Sequence, residues 1–183
     1  SDRVYLNRWI QLISDGLLKE GTHYQIIFYG GRLLSHLSAE SPDTANEGIS
    51  ILNTNRNAII IIDSDMRTNE DKINETKSRI QHEFEKLDSI CWITKGREIE
   101  NYIPIEVINS FWKSDVKNKV GQHESFFDYL DSLIEDEGRK YSAKKSLLAE
   151  KLVGYMSIEN MQSILDWDEK MQAICSTINK WNS

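Results

Sequence analysis

The sequence predicts an α/β fold: a mainly parallel sheet flanked by helices, followed by an all-helical extension. Three observations carry this. Short apolar runs alternate with helix-period segments over residues 1–103. The run Ile59–Ile62 is unbroken by polar residues, as a strand buried on both faces requires. Beyond Pro104 only helical periodicity remains. Residues 1–103 therefore form the expected core, with 104–183 packed on it.

Each element has its own signal. "SDRVYLNRWIQLI" is in helical rhythm, with Asp2 as N-cap and the pair Glu20-Gly21 closing a helix near Lys19. "YQIIFYGG" reads as a strand over 24–29 that ends in a glycine pair, and "RLLSHLSAE" as a short helix. A polar loop, "SPDTANEG", leads toward a strand over 57–63. A long amphipathic helix follows to about Leu87, with Ile73, Ile80, Phe84 and Leu87 on one face. "SICWIT" is a strand over 89–94. The segments "IEVINSFW", "SFFDYLDSLIED", "AKKSLLAEKLVGYM" and "WDEKMQAICSTINKW" are helices.

Composition narrows the function. Lys+Arg 22 against Asp+Glu 29 gives a net charge of −7, so no overall basic field attracts a polyanion. A nucleic-acid partner would need a local patch or bound cations, and "GRKYSAKK" is the one basic cluster. Cys91 and Cys175 lack metal-ligand or disulfide-framework spacing. No apolar run has membrane-spanning length, so no membrane partner is expected and cytoplasm is the expected compartment. The five tryptophans fall in helical or strand patterns and read as core, and the four histidines show no ligand spacing.

The chemistry concentrates in "IIIIDSDMR". In open parallel sheets, ligands bind beyond the carboxyl ends of the strands. That rim receives "YGG", Asp63-Ser64-Asp65 and "TKGREIENY" with Glu98 and Glu100. A DxD alone more often closes a strand or caps a helix than binds metal. Joined by Glu98 and Glu100 one strand later, it favours a hard divalent cation, Mg²⁺ or Mn²⁺, over zinc.

"AIIIIDSDMR", followed after one helix by "CWITKGREIENYIP", resembles the Toprim domain of OLD-family (overcoming lysogenization defect) ATP-dependent nucleases. "SDRVYLNRW" is similar to the tail of that family's first motif and "YQIIFYGG" to its second strand, so the likeness covers about residues 1–112. It implies a Toprim-type, Rossmann-like core and a metal-dependent endonuclease, with two cations activating water and stabilising charge on the phosphate. Carried over, Asp63 and Asp65 match the DxD, Asp2 the acid closing the first motif, and Glu98 or Glu100 the later Glu. Ser64 adds an oxygen near a metal. Lys144 or Lys145 is the candidate for the family's lysine from the helical region, and Lys95 and Arg97 are phosphate-binding candidates.

The resemblance also implies DNA as substrate, an ATPase domain upstream or on a partner protein, and a place in anti-phage defence. A homo-oligomer is compatible with it. The family's first-motif Glu and its strand would precede Ser1, so this chain by itself is expected to be catalytically impaired. Two other readings use the same residues. One is a phosphoryl-transfer domain of dehalogenase-like or receiver type with an Asp nucleophile. The other is a non-catalytic interaction module.

Overall fold

The computed structural model describes residues 1–28 and 55–183 and, between them, only the backbone of Leu37–Ser38 and Ile49–Ser50. The first helix, α1, spans Asp2–Ile13. Ser1 is its N-cap residue, and Asp2 lies in the first turn instead of capping it. The helix stops short of Lys19 because Asp15 and Gly16 both take left-handed backbone, φ 49° and 73°. Ser14 supports that exit: its hydroxyl donates to Ile10 O (2.7 Å) and accepts from Leu18 N (3.2 Å).

The strand expected over 24–29 does not form in its described part. Tyr24 makes one isolated parallel bridge with Glu20, and residues 25–28 carry no ladder. Tyr29, the glycine pair, Arg32, His36 and the polar loop lie outside the described residues. Within the helix expected for "RLLSHLSAE", Leu37–Ser38 is instead a strand, β1, paired in parallel with β2, Ile49–Ser50.

The other parallel pair carries the acids. Strand β3, Ile60–Ile62, pairs with β4, Cys91–Ile93, in the register Ile60 to Cys91, Ile61 to Trp92 and Ile62 to Ile93. Both are shorter than the apolar runs that announce them. Helix α2, Glu75–Lys86, connects them; Asn74 caps it by accepting from Thr76 N (2.8 Å). Ile73 precedes the helix and Leu87 is its C-cap. The unalternated isoleucines now have a reason. Ile62 packs with Ile80 and Phe84 of α2, joined by Ala58 and Ile60, while Ile59 and Ile61 face the main core.

From Ile105 the chain is helical: α3 Ile105–Trp112, α4 Phe126–Leu133, α5 Glu137–Ser142, α6 Lys145–Leu152, α7 Ile158–Met161 and α8 Trp167–Trp181. One apolar core runs through both parts of the chain. Trp9, Trp92, Trp167 and Tyr102 are each fully buried, and the ring of Trp9 lies within 6.4 Å of the other three. No helix among the described residues is long and apolar enough to cross a membrane.

Candidate functional site

Asp63, Ser64 and Asp65 leave β3 as an abrupt turn. Asp65 adopts left-handed backbone (φ 59°), which Asp tolerates better than most residues. Its N–H donates to Arg97 O (2.9 Å), joining the two strand ends. Ser64 is buried and spends its hydroxyl on the same joint: it donates to Gly96 O (2.7 Å) and accepts from Met66 N (3.3 Å). The Ser64 N–H donates to Thr94 Oγ1 (2.9 Å). Ser64 thus closes the rim.

The segment after β4 is built with equal economy. Gly96 lets the rim press on its neighbours, since a Cβ there would lie 2.8 Å from Asn101 Cβ and 3.0 Å from Leu165 Cδ1. Asn101 accepts from Glu98 N (3.0 Å) and donates to Gly121 O and Glu124 O, so a loop of the helical part braces the 3-10 turn Ile99–Tyr102. Arg97 N donates to Gln122 O (2.9 Å), and Gln122 Nε2 donates to Lys95 O (2.9 Å). Lys95 is exposed and Arg97 half-buried on this segment.

Lys145, the first residue of α6, reaches into the acids. Its ammonium lies 2.8 Å from Glu98 Oε2 and 3.4 Å from Glu100 Oε2, and 4.9 Å from the centre of the Phe127 ring. Burial pulls the Lys145 pKa down, but the fields of Glu100 and Glu98 and the hydrogen bond to Glu98 outweigh it, so the group stays above its ordinary value. Lys144, the residue before, is exposed. Geometry therefore separates the two lysines that spacing could not.

The acids feel one another strongly. Burial, then the charges of Asp2, Glu100, Asp65 and Glu98, push Asp63 up from 3.8 to about 7. Burial also raises Glu100, opposed by Lys145 and helped by Glu98 and Asp2. Glu100 is 1% exposed, and its Oε1 has no hydrogen-bond partner. Asp2, Asp63, Asp65 and Lys77 share the lining of a cavity of about 500 Å³ with apolar side chains that include Leu6, Ile10, Ile62 and Ile174.

Among the described residues, no three His, Cys, Asp or Glu side chains stand close enough together to hold a metal ion as they lie. The donor set nevertheless fits a hard cation. Its donors are carboxylate oxygens, one of them buried and orphaned, and a divalent cation relieves the repulsion that adds to burial in raising Asp63. The charges of Asp2, Glu100, Asp65 and Glu98 all act on Asp63, and the Asp65 carboxylate also pairs with Lys77.

Sequence reasoning missed Lys77, Tyr102 and Asp166. Lys77 had one usable signal, a cation in the first turn of a helix, where the dipole disfavours it. Tyr102 and Asp166 had none, being 64 residues apart. Comparison with known proteins returns nothing: no family model, curated protein or solved structure matches the chain.

Proposed function

We propose that this chain is the Toprim-type nuclease domain of an OLD-like, ATPase-linked protein, acting on DNA with Mg²⁺ or Mn²⁺ and serving in defence against foreign DNA. One observation carries the reading. A lysine from the helical part bridges Glu98 and Glu100, and the charges of both glutamates act on Asp63, whose pKa burial first and the surrounding acids second raise to about 7. Acids this crowded are costly in a purely structural role and useful around a cation.

Asp2, Asp63, Asp65, Glu98 and Glu100 would hold the ion. When bound, such an ion supplies an activated water and charge stabilisation at a phosphodiester. Lys145 keeps the two glutamates in place. Lys95 and Arg97 stand on the rim, where they would neutralise phosphates of the bound strand.

Mn²⁺ titration followed by electron paramagnetic resonance tests the reading, because it needs no turnover. The expected result is Mn²⁺ binding that D63A abolishes. No binding, or binding equal in D63A, defeats the proposal and favours an interaction module. A beryllofluoride adduct on Asp63 would favour phosphoryl transfer through that carboxylate.

A further inference from the structure

We infer that Lys77 is the internal counter-ion of the Asp63–Asp65 turn: a positioning residue that holds Asp65 until a divalent cation takes that carboxylate. The inference rests on the metal-dependent reading above.

Lys77 is the third residue of α2 and is 7% exposed. An ammonium is disfavoured there by burial and by the helix dipole, so its retention needs compensation. The turn supplies it. Lys77 Nζ donates to Asp63 O (2.7 Å) and Ser64 O (3.3 Å) and pairs with Asp65 Oδ2. Its three donors thus have three acceptors from three consecutive residues. Two of the contacts satisfy backbone carbonyls of the turn, and the third neutralises the carboxylate next to Asp63.

The pair is lopsided. The Lys77 side chain is 8% exposed and that of Asp65 is 76% exposed. The ammonium is fixed by two backbone carbonyls, whereas the carboxylate is held by one ion pair in contact with water. The Asp65 backbone is pinned from the other side by its bond to Arg97 O. Only the Asp65 side chain is free to exchange partners, and it lines the same cavity as Asp63 and Asp2. A cation entering there competes with Lys77 for Asp65.

The competition fixes the sign of the test. Removing a residue that merely supports the fold weakens metal binding; removing a competitor tightens it. Mn²⁺ affinity is measured on the full chain for wild type, K77R, K77M and K77Q, with thermal melts in metal-free buffer. The glutamine variant can still donate to a carbonyl without charge, which preserves a folded uncharged form where K77M loses it.

The expected result is a lower metal-free melting temperature for K77M, with Mn²⁺ bound about fivefold tighter in the uncharged variants and near wild type in K77R. Unchanged or weaker binding in the uncharged variants, in a wild type that binds Mn²⁺ through Asp63, overturns the inference alone. Absence of binding in the wild type overturns the metal reading with it. A wild-type crystal structure with Mn²⁺ needs no variant: Asp65 on the ion and Lys77 on its two carbonyls supports the inference, and an intact Lys77–Asp65 pair beside bound Mn²⁺ refutes it.

Discussion

The Tyr102 hydroxyl donates to Asp166 Oδ1 at 2.5 Å and accepts from Lys95 N at 2.8 Å, so a carboxylate just before α8 steadies the rim that carries Glu98. The second Asp166 oxygen accepts from Trp92 Nε1 (3.1 Å). Burial, reinforced by Asp166, keeps Tyr102 protonated and donating. Y102F would strand a backbone N–H and one carboxylate oxygen, costing about 1–3 kcal/mol. D166A should cost a similar amount. Because the two share one bond, the double variant should lose less than the sum of the singles in urea unfolding. Strict additivity would show that the residues do not act together.

Lys145 joins a half-exposed ammonium to a carboxylate that is 1% exposed. K145M leaves Glu100 buried beside Glu98 with no cation, and the expected loss is about 2 kcal/mol, between the values for exposed and buried pairs. E100Q in the K145M background removes the stranded charge and should recover part of that stability. Melting temperatures of the four proteins measure the coupling. An E100Q change that further destabilises K145M would mean that Glu100 is not the group left uncompensated.

Gly138 lies in α5, where an added Cβ would meet Phe127 O at 1.9 Å and Asp131 Oδ1 at 2.8 Å. The first of these atoms is helix backbone and cannot swing aside. G138A should therefore destabilise the protein by about 1–3 kcal/mol or more through overpacking, although alanine is the better helix former. A thermal melt decides it, and an unchanged melting temperature would contradict the α4–α5 packing.

The acidic stretch around Gly138 shows why some of this was hidden. "DSLIEDEG" reads as a solvated helix end, since a close approach between elements leaves no periodic mark. What was legible followed local rules: Ile105–Trp112 and Trp167–Trp181 match the helical segments residue for residue. The DxD turn and "REIEN" stand out in the sequence because acids ending apolar runs are conspicuous. Strand lengths and the end of α1 were not, because ladder partners and the left-handed Asp15-Gly16 exit depend on tertiary context. Lys77 and Asp166 declare themselves only when the chain brings distant segments together.

Asp63 gives the clearest pH dependence. Its pKa is about 7 in the folded protein, against an ordinary 3.8. Between those values the folded state holds the extra proton, so this group lowers stability as pH rises from about 4 to about 7. Above that range the cost of ionising a half-buried carboxyl among other acids is fully felt, on the order of 1–2 kcal/mol after solvent screening. D63N keeps the shape and cannot ionise, so it should be the more stable protein at pH 8 and equal to wild type near pH 4. Saturating Mn²⁺ should reverse the ranking at pH 8, because the cation favours the ionised wild-type carboxylate and finds no charge in D63N. Urea unfolding at both pH values, with and without Mn²⁺, checks all four cases. A metal-free wild type that gains stability between pH 4 and pH 7 relative to D63N would contradict the raised pKa.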